Sequence, residues 1–283
     1  MNSDKLNDII KKKSKGNNNL AHHLHQMFFF EHVLMRLEKS KYKDNIILKG
    51  GVLLSSIIGE DLRTTKDIDA TLKSLPLNID SIRSIFEDIL SIDIEDNVNF
   101  EIVNIKDIRL EDEYGGFRIN VKGTFDKIRN NFFIEITTGD IITPREIEYK
   151  YNSIFEDKKI NIMAYTIETI VAEKFESIIS KNITTTRAKD FYDLYMLMNK
   201  HKNNINNKNL VKAVKNTFNK RNTEFNIDSF KEVLEMLEEN NSLKRLFTAY
   251  QQKLEYTKTV SFDDTIASIS MIIDILEQEL VVN

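Results

Sequence analysis

The sequence contains no cysteine and no tryptophan, and it has only 8 glycines and 2 prolines in 283 residues. The absence of cysteine excludes a disulfide framework, a thiolate zinc site and a cysteine nucleophile. All the glycines lie at or before position 139, and both prolines lie at or before position 144. Because glycine and proline mark turns and the ends of strands, the second half of the chain is predicted to be almost entirely helical.

The first twenty residues, MNSDKLNDIIKKKSKGNNNL, lack an apolar run long enough for a signal peptide or a membrane span. We therefore expect a cytoplasmic protein with no membrane partner. The net charge of −4 argues against broad coating of nucleic acid. Residues 1–50 are nevertheless basic and residues 51–100 acidic. Solvated, flexible surface is the favoured interpretation of the basic stretches Lys11–Lys15 and Asn203–Lys208, and a basic rim near an acidic pocket, which would suit a nucleic-acid substrate, is the alternative.

The pattern of apolar residues predicts an α+β fold, with a mixed β-sheet and helices over 1–150 and a helical bundle over 151–283. In the first part, the pattern predicts a buried helix over 20–39, strands over 45–49 and 65–72, a short helix ending at Gly59, a helix over 79–92, strands over 99–105, 117–123 and 131–138, and an edge strand over 160–164. From Thr166 onward the period changes to 3.6 residues, which predicts successive helices, the last of them over 262–281.

Two aspartates in the segment TKDIDATL form the first candidate site. Asp67 and Asp69 are two residues apart on a predicted strand, so their side chains point to the same face. Two carboxylates this close repel each other unless a cation or a basic group neutralises them. Oxygen ligands indicate Mg²⁺ or Mn²⁺, and an exposed strand face with Arg63 or Lys66 as counter-ion is the simpler alternative.

A Gly-Gly turn precedes these aspartates. Gly50 and Gly51 end one apolar run and open a short helix, where backbone N–H groups can approach a phosphate. Such a turn is also an ordinary corner between a strand and a helix. No GxxxxGK[ST] or GxGxxG motif occurs in the chain, so neither a Walker A loop nor a dinucleotide-binding Rossmann site is expected.

Four further charged residues are candidates. Glu135 lies among apolar residues on a predicted strand, where an unpaired carboxylate is costly, and a metal shared with Asp67 and Asp69 would satisfy it. Lys174 lies in an apolar helix, and it either extends to solvent or binds phosphate oxygens. Asp190 and Asp193 share a helix face near Arg187 and Lys189. They either form salt bridges in the solvated first turn of a helix or belong to a functional site.

Together these motifs resemble the polymerase-β-like nucleotidyltransferase superfamily. The resemblance rests on KGG, a dozen residues, RTTKDID and a later acidic strand. The segments ETIVAEKFESII and TRAKDFYDLYML are similar to those of the AbiEii/AbiGii toxin family, which is in turn similar to the MenT toxins. The matching motifs span residues 20–198.

The resemblance implies a toxin of a toxin–antitoxin, abortive-infection system for phage defence, with an antitoxin partner. It implies a metal-dependent enzyme that moves a nucleotide from an NTP to an acceptor hydroxyl, with the tRNA 3′ end as the expected acceptor and Mg²⁺ or Mn²⁺ as the cofactor. The catalytic residues it implies are Asp67, Asp69, Glu135 and Asp190, the first three as metal ligands. The nucleotide-binding residues it implies are Gly50, Gly51, Arg63 and Lys174. Many relatives have serine at the position of Gly51 and aspartate at that of Glu135.

Three alternatives remain open at this point. The chain could bind NTP as a regulatory protein without transferring it, or transfer nucleotides to protein hydroxyls (AMPylation). It could also be a structural α/β protein whose two aspartates are only part of its surface.

Overall fold

The computed structural model describes residues 1–59, 63–108 and 115–281 and confirms the α+β fold. The chain forms two compact units. The first consists of Met1–Asp140 and Ile147–Ala164, and the second of Ile141–Glu146 and Tyr165–Asn283. The predicted boundary between residues 150 and 151 falls inside a strand of the first unit. None of the helices in the described ranges is long and apolar enough to cross a membrane.

The first unit is built on a seven-stranded mixed sheet with the order β3-β4-β5-β2-β1-β7-β6. The strands are β1 (Ile46–Lys49), β2 (Asp67–Leu72), β3 (Val98–Ile108), β4 (Gly116–Phe125), β5 (Ile128–Thr137), β6 (Ile147–Asn152) and β7 (Lys159–Ala164). The β2/β5 and β1/β7 pairs are parallel, and the other four are antiparallel. The strand that carries Asp67 and Asp69 is therefore the central strand of the sheet.

Four helices accompany this sheet: α1 (Ser3–Ser14), α2 (Asn18–Lys39), α3 (Gly50–Ile58) and α4 (Ile79–Leu90). As predicted, the Phe28–Phe30 run of α2 belongs to the core, because all three rings are fully buried. The Phe30 ring contacts that of Phe132 at 5.2 Å between centroids. Phe132 alternates along β5 with Phe133 and Glu135, so those two residues lie on the opposite face of the sheet. We call that opposite face, which also carries Asp67 and Asp69, the carboxylate face.

Two predictions for the region after residue 144 are wrong. Residues 147–152 form β6 rather than part of a helical half, and the strand at 159–164 is an inner strand because β6 covers its edge. The hairpin between them turns without glycine or proline because Glu31 of α2 satisfies its donors. Ser153 Oγ and the Ile154 amide donate to the two Glu31 carboxylate oxygens at 2.6 and 2.7 Å.

The basic stretch at the N-terminus is also more ordered than predicted. The lysines of Lys11–Lys15 that were interpreted as flexible surface occupy the last turn and the cap of α1. Positive charge there stabilises the carbonyl end of a helix. Leu6 and Ile10, one turn apart on α1, are buried.

The second unit is helical, as predicted. Its helices are α5 (Ile167–Lys181), α6 (Ala188–Lys200), α7 (Asn207–Lys220), α8 (Ile227–Glu239), α9 (Asn241–Lys253) and α10 (Phe262–Val281). Thr166 caps α5 by accepting from the Thr169 amide at 3.2 Å. Ser261 and Asp264 form a reciprocal capping box at the start of α10. Phe175, Phe218 and Phe230 pack edge to face and tilted in the core of this unit.

Candidate active site

The Gly-Gly turn lets a carboxylate sit directly on the backbone at the start of α3. Gly50 has φ +62°, and a Cβ placed there would lie 2.0 Å from Asp69 Oδ2. The Gly51 amide donates to the same oxygen at 3.2 Å. A side chain at Gly51 would meet Thr65 Oγ1, also at 2.0 Å. The serine that many relatives carry at position 51 therefore does not fit this turn while Thr65 keeps its position.

Asp67, Asp69 and Glu135 lie side by side on the carboxylate face. β2 and β5 run parallel with Asp69 in register with Glu135, and Asp67 is two residues from Asp69 on the same face. Burial raises the pKa of Asp69 above its usual range, and the charges of Asp67 and Glu135 raise it further. The Gly51 amide and the Lys49 ammonium oppose this effect. The three predicted metal ligands are thus neighbours, with an excess of negative charge around Asp69.

Glu135 has a partner that the sequence did not reveal. Arg118 of β4, directly opposite Glu135 in the antiparallel β4/β5 pair, donates from Nε to Glu135 Oε1 at 2.7 Å. Glu135 is therefore not the unpaired buried carboxylate that was expected. The two residues are 17 positions apart, and only the strand register brings them together.

These carboxylates suit a divalent cation in donor chemistry but are not assembled as a closed site. Carboxylate oxygens are the ligands that Mg²⁺ and Mn²⁺ prefer, and the pKa of Asp69 is raised by burial first and then by the nearby charges of Asp67 and Glu135. Within residues 1–59, 63–108 and 115–281, no group of three His, Cys, Asp or Glu side chains has the geometry to hold a metal ion. Asp67 and Asp69 thus fit the ion, and Glu135 is engaged by Arg118.

A second pair of opposite charges lies beside Asp69. Lys49, in register with Asp69 across the β1/β2 pair, donates to Asp140 Oδ2 at 2.5 Å and to Thr137 Oγ1 at 2.7 Å. The Lys49 charge lowers the pKa of Asp69. The sequence does not predict this pair, because the two residues are 91 positions apart and their contact depends on the strand order.

Arg63, predicted to bind nucleotide, is buried in this structure. Its guanidinium donates to the carbonyl of Thr64, and only 6% of the residue is exposed. The adjacent Thr65 donates its hydroxyl to Asp67 Oδ1 at 3.1 Å. Thr65 therefore touches both the Gly-Gly turn and the first aspartate, a role that the sequence reading missed.

Lys174, Asp190 and Asp193 form a separate cluster inside the second unit. Lys174 Nζ donates to Asp190 Oδ1 at 2.8 Å and to Asp193 Oδ2 at 2.7 Å, and both carboxylates are fully buried. Arg187 Nε lies 2.6 Å from the other oxygen of Asp190 as an ion pair. Lys174 does not extend to solvent, and the charges of these four side chains balance. The assigned roles of Lys174 and Asp190 stay predictions.

Comparison with known proteins gives one family and two related folds. The family model described as "Nucleotidyl transferase AbiEii toxin, Type IV TA system" matches residues 32–268. The crystal structure of JHP933 from Helicobacter pylori is 14% identical with a TM-score of 0.51, over 91% of this chain and 94% of that chain. A second H. pylori crystal structure, of a protein assigned as a nucleotidyltransferase, is 13% identical with a TM-score of 0.50, over 93% and 98%. Comparison with curated protein sequences gives no match.

Proposed function

The chain belongs to the AbiEii family of nucleotidyltransferase toxins of type IV toxin–antitoxin systems, and from this premise we propose that it moves a nucleoside monophosphate from an NTP to the 3′-terminal hydroxyl of a tRNA. Such a modification would block aminoacylation and therefore translation. The observation that carries the proposal is the set of carboxylates Asp67, Asp69 and Glu135 on one face of two neighbouring strands, with Asp69 bonded to the N-terminus of α3. We further propose that the protein acts in the cytoplasm in phage defence and that a cognate antitoxin restrains it.

In the first unit, Asp67 and Asp69 would hold Mg²⁺ or Mn²⁺. When bound, the ion would neutralise phosphate charge and lower the pKa of an acceptor hydroxyl. The Gly51 amide donates a hydrogen bond to Asp69, so the turn orients this carboxylate. The other backbone N–H groups at the start of α3 would bind the phosphates of the NTP. Arg118 contacts Glu135 through Oε1, so Oε2 could join the ligand set while this ion pair remains in place.

Arg63 and the residues of the second unit would have supporting roles. For Arg63 we propose the nucleotide-binding role that the family resemblance implies; its guanidinium donates to the carbonyl of Thr64, and the residue is buried. For Lys174 and Asp190 we propose the roles that the family resemblance implies, nucleotide binding and catalysis. Because Lys174 also binds Asp193, any phosphate that it contacts would compete with two buried carboxylates.

The experiment that tests the proposal is incubation of the purified protein with each α-³²P-labelled NTP, Mg²⁺ and total cellular RNA and protein. We expect label in the tRNA band, removable with the 3′-terminal nucleotide, and none with EDTA. Asp69→Asn should abolish the transfer. Asp44→Asn is the matched control, because it makes the same chemical change at an exposed position of the first unit.

Each other outcome contradicts the proposal in a distinct way. Label on protein rather than RNA would indicate AMPylation. NTP binding without any labelled product would indicate a regulatory protein. Full transfer by Asp69→Asn would show that the carboxylate face is not the reaction site.

A further inference from the structure

An aromatic ring lies exposed on the carboxylate face beside the aspartates. Phe133 of β5 is 41% exposed, and it is in register with Asp67 of β2. Its neighbours along the chain, Phe132 and Ile134, are buried on the opposite face. The core therefore does not need the Phe133 ring, and an exposed aromatic ring beside a polar site is available to stack on a ligand.

A guanidinium already lies over this ring. The Arg118 guanidinium carbon is 5.3 Å from the centroid of Phe133, and the same group binds Glu135. Arginine and an aromatic ring together form a flat, cationic surface of the kind that nucleobases stack on. Arg118 thus connects this surface to the carboxylate next to Asp69.

A polar group without a partner lies next to the ring. Asn120 of β4 stands directly opposite Phe133 in the β4/β5 register. Its Oδ1 atom is buried and has no hydrogen-bond partner among the described residues. A buried amide oxygen without a partner costs free energy, and the amino and ring N–H groups at the edge of a nucleobase are donors that would satisfy it.

The charge of the neighbouring positions favours a polyanion longer than one nucleotide. The strand register places four cations on the carboxylate face of β3, β4 and β5, which are Lys106, Arg118, Lys122 and Arg129. Two acids on these strands, Glu101 and Glu135, lie on that face and pair with Lys122 and Arg118, so Lys106 and Arg129 provide the surplus positive charge. Arg129 and Glu135 are six residues apart on β5, which is about 20 Å along a strand. A single NTP bound at Asp69 would not reach that far, whereas a nucleic-acid strand would.

We propose that Phe133, together with Arg118 and Asn120, binds an unpaired base at the 3′ end of the acceptor RNA, with the phosphates behind it crossing β4 and β3. The inference rests on the proposed function and adds to it where the acceptor lies. Phe133 is a positioning residue for the acceptor, because it has no group that takes part in the transfer.

The test is the affinity of the whole protein, without NTP, for a fluorescent RNA hairpin with four unpaired 3′ nucleotides. Phe133→Leu keeps an apolar side chain but removes the ring, and we expect it to weaken binding about 10-fold, because stacking of one base contributes roughly 1–3 kcal/mol. Phe133→Tyr keeps the ring and should bind as the wild type does. A blunt hairpin should bind more weakly to the wild type than the overhang does. In the transfer assay, Phe133→Leu should raise KM for RNA with little change in kcat or in the KM for NTP.

The matched control is Ile147→Ala, which changes an exposed apolar side chain on β6, at the far edge of the same sheet. It should leave hairpin binding unchanged. A crosslinking experiment on the wild-type protein removes any dependence on how the variants fold. With 5-iodouridine in the overhang, irradiation should attach RNA to the tryptic peptide of residues 130–145, which contains Phe133.

Three results would overturn the inference. They are equal binding by the wild type and Phe133→Leu, equal binding of the blunt and overhanging hairpins, and loss of NTP affinity rather than RNA affinity in Phe133→Leu. The last result would assign the ring to the base of the incoming nucleotide. If the hairpin binds through Phe133 but no NTP labels any RNA, the inference stands and the proposed transfer fails.

Discussion

The two units of this protein each hold a group of acidic side chains, and they neutralise them differently. In the second unit, Asp190 and Asp193 are fully buried and are matched by Lys174 and Arg187. On the carboxylate face of the first unit, Asp67, Asp69 and Glu135 lie together, and Arg118 pairs with one of them. Burial raises the pKa of Asp69, and the charges of Asp67 and Glu135 raise it further. A balanced cluster stabilises its own fold, whereas an unbalanced one is suited to bind a cation that the chain does not supply.

The largest expected effect is the removal of the cation in the balanced cluster. Lys174→Met leaves two fully buried carboxylates without their lysine, and breaking a buried ion pair from one side costs about 3–5 kcal/mol in the free energy of unfolding. Urea denaturation measures this loss. Lys231→Met is the control, because it breaks an exposed pair with Glu277 and should change stability little.

This expectation affects how a toxicity assay of Lys174 must be designed. A loss of growth inhibition in Lys174→Ala would not separate a lost phosphate contact from a lost fold. Combining Lys174→Met with Asp190→Asn and Asp193→Asn removes the buried charges and should restore most of the stability. A stable, inactive triple variant would support a functional role for the cluster, and a stable, fully toxic one would assign it to folding alone.

Glu31 shows a third way to hold a buried acid, because hydroxyl and amide groups rather than cations donate to it. Burial raises its pKa to about 7, although Ser153, the Ile154 amide and Tyr151 donate to it, and the nearby charge of Glu156 raises it further. Because the pKa in the folded protein exceeds the ordinary value of 4.5 for a glutamate, this group contributes its full stabilisation of the fold below pH 4.5. As the pH rises through about 7, the free energy of unfolding should fall by roughly 3 kcal/mol in total.

The measurement compares the free energy of unfolding of the wild type and Glu31→Gln at pH 5 and pH 8. Glutamine does not titrate, so the wild type should lose stability relative to the variant as the pH rises. Parallel pH profiles for the two proteins would show that Glu31 is ionised at no cost in the fold.

The next effect concerns the turn that brings Asp69 to the backbone. Gly51→Ser places a side chain against Thr65, and overpacking of this kind typically costs about 1–3 kcal/mol. Thermal denaturation measures the loss, and Thr65→Gly in the same chain should recover part of it. Gly115→Ser is the control, because no atom of the described residues lies within 4 Å of a Cβ at that position. Equal effects at Gly51 and Gly115 would contradict the close approach of Thr65.

The smallest effect has the opposite sign from the first. Asp67→Asn removes one of the like charges near Asp69, so the free energy of unfolding should rise by about 1 kcal/mol without metal. Mg²⁺ should raise the melting temperature of the wild type but not that of the variant. Asp190→Asn should be destabilising in the same assay, because it unbalances a neutral cluster. Destabilisation by Asp67→Asn would mean that the carboxylate face is already neutralised within the chain.

The sequence was sufficient for the local features of the fold and of the site. The Gly-Gly turn, the alternation around Asp67 and Asp69 and the 3.6-residue period after Thr166 each follow from neighbouring residues. The β6/β7 hairpin was missed because its turn is stabilised by Glu31, more than 120 positions away. The Arg118 and Asp140 contacts were missed for the same physical reason, since cross-strand partners depend on register and strand order.

In genetic terms, the Gly50-Gly51 turn is a site where single-base mutations should readily inactivate the protein. Every single-base change in a glycine codon that replaces the residue either adds at least one side-chain carbon or stops translation. At both positions that carbon would lie 2.0 Å from a side-chain oxygen. Spontaneous mutants that survive expression of the toxin should therefore carry changes at two adjacent glycine codons as often as at the codons for the aspartates.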